Sequence, residues 1–253
     1  MDYKETNVFK SYEYDVEITG DGSPTLRYQR KESMHNRRGA AGESVYIYYH
    51  ALLQYAELET AKKMNHELRV LSLGFGLGYN EIATVMCWLK NKWNLEKLEL
   101  VSYEKDLFLY ELFNAWLIGP SDSKSVFDDV FVGMETALNS FPPAVPLSDL
   151  KTAMIWLLEN KKWMQAGLIK SVDDFDGYYD VVFFDAFSSK VDSCLWTEEF
   201  LNEFVKTRLN STFVLSTYAC TGALRRVAAN NRAQFVKRIG YKGKRNASLI
   251  FRI

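Results

Sequence analysis

Apolar and polar residues alternate from Tyr14 to Gln29, and Gly20-Asp21-Gly22-Ser23-Pro24 interrupts the run, which predicts a β-hairpin. Arg37-Arg38-Gly39-Ala40-Ala41-Gly42 is a loop, and the Tyr-, Leu- and Ala-rich stretch from Glu43 to about Met64 predicts a helix. Leu68 to Leu73 is a mostly apolar run that ends in Gly74-Phe75-Gly76-Leu77-Gly78. A helical pattern follows to about Trp93, so the order here is strand, glycine turn, helix. The alternation continues with a strand over Lys97–Tyr103 and a helix over Leu107–Leu117. Further on come a wholly apolar strand (Val181–Phe184), a helix (Thr197–Arg208), a strand (Thr212–Thr217) and a short helix (Ala223–Asn230). Phe235–Ile239 and Ser248–Ile253 would close the fold as a pair of strands. Strands that alternate with helices imply the α/β class, with a mostly parallel sheet covered on both faces. The middle, residues 121–176, breaks the pattern. Three of the five prolines fall within it and a fourth, Pro120, at its edge. It reads as an insertion carrying one helix over Leu150–Gln165.

Composition narrows the class. A chain of 253 residues, 47% of them hydrophobic and 25% charged, can bury a core without disulfides or a structural metal. Cys87, Cys194 and Cys220 are scattered and never form C-x-x-C, which excludes a disulfide scaffold or zinc ribbon and suggests a reducing compartment. No apolar run approaches the ~18–20 residues of a membrane span. The start, Met1-Asp2-Tyr3-Lys4-Glu5, lacks the order of a signal peptide. A soluble, cytoplasmic protein is expected.

Charge adds a partner. The formal net charge is −1, yet Phe204 to Ile253 holds eleven Lys and Arg and no Asp or Glu. Such a segment points to a polyanion, nucleic acid or a phosphate-bearing ligand, although charge runs also occur as plain solvated surface.

The chemistry concentrates at three places. Gly74-x-Gly76-x-Gly78 lets the backbone approach a ligand, and the helix after it offers free N–H groups. Position 79 is Tyr, so the spacing is G-x-G-x-G, which favours an S-adenosylmethionine site over a dinucleotide site. Glu104 ends the next strand, where a carboxylate can accept both hydroxyls of a ribose. Asp185 follows four apolar residues at the carboxyl end of a central strand, where a buried carboxylate needs a partner or a task. His35, His50 and His66 stand apart with no ligand spacing around them, and no metal is expected.

The order of several motifs resembles a known family, the methyltransferase domain of the bifunctional tRNA wobble-uridine modification protein MnmC and its stand-alone relatives. The matching stretches are Leu73 to Asn80, Ser102-Tyr103-Glu104-Lys105, Phe184-Asp185-Ala186-Phe187-Ser188 and Leu195-Trp196-Thr197. Ser216-Thr217-Tyr218, Gly222-x-x-Arg225-Arg226, Lys237-Arg238-x-Gly240-Tyr241 and Lys244-Arg245 continue them, with Glu32-x-Met34-His35 and Gly39-Ala40-x-x-Glu43 upstream. The resemblance implies a Rossmann-like methyltransferase domain over residues 67–253, interrupted at about 121–176 and preceded by a hairpin-and-helix extension over 1–66. It implies S-adenosylmethionine held by Gly74, Phe75, Gly76, Gly78, Asn80 and Glu104, with Asp185 beside the transferred methyl. The implied substrate is the amine of 5-aminomethyluridine at the tRNA wobble position.

On this resemblance Asp185 orients the amine and accepts its proton, and Phe187, Trp196 and Tyr218 wall a base pocket by stacking. Arg225, Arg226, Lys242, Lys244 and Arg245 would face the tRNA. A separate flavin-dependent oxidase would act upstream. The chain departs from the family pattern at Ser72, where an acid is usual. It departs again at Leu168, where an acid usually contacts the adenine amine, and at Ser189 and Ser193, where prolines are usual. Two alternatives stay open: an aminopropyl or methyl transferase for a small amine, and a non-catalytic RNA-binding relative.

Overall fold

The structure, a computed structural model, describes residues 3–29, 31–57, 67–120, 123–186, 192–243 and 246–253. A short helix α1 (Thr6–Ser11) leads into a small antiparallel sheet of β1 (Tyr14–Ile18), β2 (Pro24–Tyr28) and β3 (Glu32–Ser33). Helix α2 (Ala40–Ser44) then runs through a π turn (Val45–Tyr49) into α3 (His50–Glu57). The main sheet is built from β4 (Leu68–Leu73), β5 (Leu98–Tyr103), β6 (Trp163–Ala166), β7 (Tyr179–Phe184), β8 (Leu209–Thr217), β9 (Gln234–Arg238) and β10 (Ala247–Arg252). Between its strands lie α4 (Tyr79–Asn91), α5 (Phe108–Ile118), α6 (Val126–Ala137), α7 (Leu147–Glu159), α8 (Glu198–Arg208) and α9 (Gly222–Asn230).

The strand order is β6-β5-β4-β7-β8-β10-β9. The first five strands are parallel; β10 adds antiparallel to β8, and β9 adds antiparallel to β10 at the edge. Period-2 alternation sends side chains to two cores. Val70, Val181 and Phe183 face one cluster with Ile82, Met86 and Trp88 of α4, while Leu71, Leu73, Val182 and Phe184 face the other with Leu201, Phe204 and Val227. The fold is therefore Rossmann-like α/β. Chain order turns outward in both directions from β4, and such a switch point opens a crevice at the carboxyl ends of the strands.

Three expectations need correction. The helix expected over Leu150–Gln165 ends at Glu159, where Asn160 caps it and Lys161 turns left-handed (φ 56°). Trp163 to Ala166 then pairs parallel with β5, so part of the expected insertion is a strand of the main sheet. Four residues hold too little periodicity to separate a strand from a continuing helix. The helix expected over Glu43–Met64 contains the π turn and is described as far as Glu57, and the rest of it lies outside the described residues. Strand β8 also begins earlier than expected, at Leu209, because Asn210, Ser211 and Thr212 hide its apolar face.

Candidate functional site

The carboxyl ends of β5, β4 and β7 bring the three expected features together. Gly74 N–H donates to Tyr103 O (2.9 Å), Asp185 N–H to Leu73 O (3.0 Å) and Glu104 N–H to Ala166 O (3.0 Å), so the residues just past each strand are knitted into one edge. Gly74 has φ 89°, and a Cβ there would stand 2.6 Å from Asp185 O; the turn and Asp185 touch backbone to backbone. Gly76 has φ 55°, and a Cβ there would meet Met34 Sδ at 3.0 Å, both residues being on the cavity lining. Glu104, 5% exposed, accepts from Phe75 N–H and Gly76 N–H (3.1 Å each) on Oε2 and from Asp106 N–H (3.0 Å) on Oε1. It shapes the glycine turn while lining the cavity. Burial raises its proton affinity, and the backbone donors hold it back.

Asp185 is gripped from two sides. Tyr48 Oη donates to Oδ1 (2.6 Å) and Asn80 Nδ2 donates to Oδ2 (3.0 Å). Asn80 stands in the first turn of α4, directly after the glycines, and Tyr48 stands on the π turn. A π turn widens the helix by one residue, and such bulges recur at functional sites. Desolvation pushes the Asp185 carboxyl up to about 8, while its two donors oppose the shift. That is the range in which a carboxylate can exchange a proton near neutral pH. Asn80 is 2% exposed and its Oδ1 accepts from no described residue, which leaves a buried acceptor beside Asp185.

These residues line one cavity of about 250 Å³. Its described carboxylates are Glu32, Glu43, Glu104, Asp185 and Asp192, against the ammonium of Lys105. The N-terminal segment supplies much of its wall, including Met34, Asn36, Ile47 and Tyr48, and Tyr241 closes it from the other end of the chain. Tyr218 lines the cavity and donates to Ala186 O (3.0 Å). Trp196 packs edge-on against Phe184 (4.9 Å) and Tyr218 (6.0 Å), behind the lining. Phe187, Lys244 and Arg245 lie outside the described residues. Arg225 lies over the Phe235 ring and Arg226 pairs with Glu198 (2.7 Å), both on exposed faces away from the cavity lining. Lys242 sits next to the lining residue Tyr241.

The basic segment is partly spent within the fold. Arg208 pairs with Asp173, and Arg252 donates to the carbonyls of Ser211, Asn210 and Asn231. Among the described residues no group of His, Cys, Asp and Glu is arranged to hold a metal, and no helix is long and apolar enough to cross a membrane.

The departures from the family pattern have local counterparts. Leu168 lines the cavity and is 55% exposed, so that wall offers an apolar side chain. Ser72 is wholly buried beside Glu81, a carboxylic acid delivered from α4 whose Oε1 accepts from Ser102 Oγ (2.7 Å). A carboxylic acid thus stands beside Ser72, delivered from the helix packed on β4, but it does not line the cavity. Sequence reasoning missed Tyr48 and Glu81 and gave Glu43 only as part of a matching motif, because aromatic and acidic residues within helical patterns resemble ordinary core and surface.

Residues 163–249 match the model of the S-adenosyl-L-methionine-dependent methyltransferase family. An uncharacterised protein of Methanocaldococcus jannaschii is 30% identical over 202 residues, 79% of this chain and 49% of that protein. The tRNA 5-methylaminomethyl-2-thiouridine biosynthesis bifunctional protein MnmC of Hydrogenovibrio crunogenus is 23% identical over 188 residues, 72% of this chain and 26% of that protein. The chain thus spans about half the length of the first relative and about a quarter of the second. The crystal structure of MnmC2 from Aquifex aeolicus shares the fold, with a TM-score of 0.60 at 24% identity over 94% of this chain and 70% of that one. The glycine turn, the carboxylate after β5 and the family match agree: the chain carries an S-adenosyl-L-methionine-dependent methyltransferase domain.

Proposed function

We propose that the protein methylates the amine of a 5-aminomethyluridine at the wobble position of tRNA. The observation that carries this is a contrast of charge. The cavity is lined by five carboxylates, while Arg38 and Lys242 stand exposed close to its wall residues Asn36 and Tyr241. A cationic group carried on a polyanion satisfies both.

The residues present fit the cofactor. Gly76 presents its backbone to the cavity in a left-handed turn, and the unpaired Asn80 Oδ1 offers an acceptor on the same lining. Gly74, Phe75, Gly76, Asn80 and Glu104 would hold it, and when bound it supplies a methyl group activated by a sulfonium; Gly78, also expected from the motif, is outside the cavity lining and packs against Phe113 and Phe75. The acceptor amine reaches the site as an ammonium, drawn by the acidic lining, and in that form it has no lone pair to react. Asp185 takes a proton from it, directly or through water, and holds the neutral amine in place. Tyr48 and Asn80 fix the carboxylate so that its orientation is set before the amine arrives. Tyr218 would support the base. A separate flavin-dependent oxidase would prepare the amine, and the cytoplasm is where such a tRNA would be met.

The small-amine alternative gains from the acidic cavity, which suits a free polyamine as well. The cations outside the cavity weigh against it. The Tyr48–Asp185–Asn80 set weighs against a relative without catalysis.

The test is to incubate the protein with S-adenosylmethionine labelled in its methyl group and tRNA bearing 5-aminomethyluridine, then digest and identify the labelled nucleoside. Label on 5-methylaminomethyluridine is the expected result. Cofactor binding without label in any nucleoside would overturn the substrate assignment.

A further inference from the structure

Arg38 and Lys242 come from opposite ends of the chain and interlock at the outer side of the cavity wall. Arg38 Nη1 donates to Lys242 O (2.5 Å), and Lys242 Nζ donates to Arg38 O (3.0 Å). Each cation is held over the other's backbone, so the two charges are fixed side by side. Among the described ion pairs neither has a carboxylate.

The surroundings hold this arrangement rigid. Asn36 Nδ2 donates to Tyr241 O (3.4 Å), and a side chain at Gly42 would overlap the Tyr241 ring, so the aromatic is seated on that glycine. On the other flank Tyr46 Oη donates to Ile239 O (2.7 Å), and Arg238 Nη2 donates to Tyr46 O (2.7 Å). Two like charges held together repel, and an anion between them removes the repulsion and attracts both. Arg38 keeps Nε and Nη2 for a forked contact, the geometry in which guanidinium meets phosphate.

We propose that Arg38 and Lys242 form a clamp for one phosphodiester of the bound polynucleotide, set just outside the cavity that receives its modified base. This rests on the tRNA reading above and adds to it a partner for Lys242 from the N-terminal segment. The clamp also explains why the two chain ends are tied together at this point of the wall. The pair positions the substrate and takes no part in the transfer.

The experiment is filter binding of tRNA against salt for the wild type, Arg38→Gln, Lys242→Gln, the double variant and Arg38→Lys. S-adenosylmethionine affinity is measured alongside by calorimetry to report on the fold. Each single Gln variant should weaken tRNA binding about tenfold, as expected for hydrogen bonds to a charged group. The double variant should add little, because one phosphate is shared. Its salt slope should fall by the contribution of one phosphate, about 0.7–0.9. Arg38→Lys, which keeps the charge and loses the fork, should leave the salt slope unchanged and weaken binding less than Arg38→Gln does. Unchanged affinity and slope in the double variant would overturn the clamp while leaving tRNA as substrate. A slope that falls by twice that amount would mean separate phosphates and would also overturn it. A wild type that binds no tRNA would remove the tRNA reading and the clamp with it.

Discussion

Asp185 takes its behaviour from its neighbours. Burial pushes its carboxyl up to about 8, and the Tyr48 hydroxyl is among the groups that pull it back. Proton acceptance needs the ionised form, so transfer should be slow in acid and rise as pH passes through about 8. Asp185→Asn keeps the shape and loses the proton acceptor. Turnover at saturating cofactor should fall by roughly 10²–10⁴-fold, with cofactor affinity little changed. Tyr48→Phe removes a donor that favours the ionised form, so the rising limb of the pH–rate profile should move to higher pH by about one unit. A limb that stays in place would assign it to the amine itself. At the glycine turn, Gly76→Val should abolish S-adenosylmethionine binding measured by calorimetry, since φ 55° and the Met34 contact leave no room for the side chain. Asp185 and Glu104 were legible because each directly follows an expected strand. Tyr48 was not, because one tyrosine among Tyr46, Ile47 and Tyr49 has nothing in its sequence to set it apart from core.

At the scale of elements, α4 does more than cover the sheet. It begins at the glycine turn, carries Asn80 to Asp185, and buries Glu81 between β4 and β5 against Ser102, which also receives Trp163 Nε1 (3.0 Å) from β6. Desolvation pushes the Glu81 carboxyl up to about 7 from 4.5. A carboxyl that binds its proton more tightly when folded favours the fold at low pH and works against it as pH rises through the folded value. The penalty is absent below about pH 4.5 and complete above about pH 7, on the order of 3 kcal/mol. Glu81→Gln should therefore melt with the parent near pH 4 and several degrees above it near pH 8. Parallel melting curves across that range would show that the carboxyl is not strained by burial. The strands β4, β5 and β7 were legible to within two residues because their apolar runs end in glycine or a carboxylate. Strand β6 was not, since its partner β5 rather than its own pattern makes it a strand.

For the whole molecule, the N-terminal segment and the basic C-terminal segment close the cavity from two sides. The charge of the last fifth was legible as a partner signal, but its distribution was not. Arg208, Arg226 and Arg252 are occupied within the fold, and Arg38 joins Lys242 from the other end of the chain. Binding of tRNA should weaken steeply as salt rises, because phosphate contacts release counterions. Salt should leave S-adenosylmethionine affinity nearly unchanged, since that site is buried in the crevice. Equal salt dependence of the two would place the cofactor on the surface.

The central claim is an acidic cavity for an ammonium within a cationic face for a polyanion. Its most direct test is methyl transfer at matched amine concentrations to tRNA bearing 5-aminomethyluridine and to a free linear polyamine, each at low and high salt. Transfer to the tRNA should be rapid and fall steeply with salt, and transfer to the polyamine should be slight at either salt. Preference for the polyamine, or transfer to tRNA that ignores salt, would contradict it.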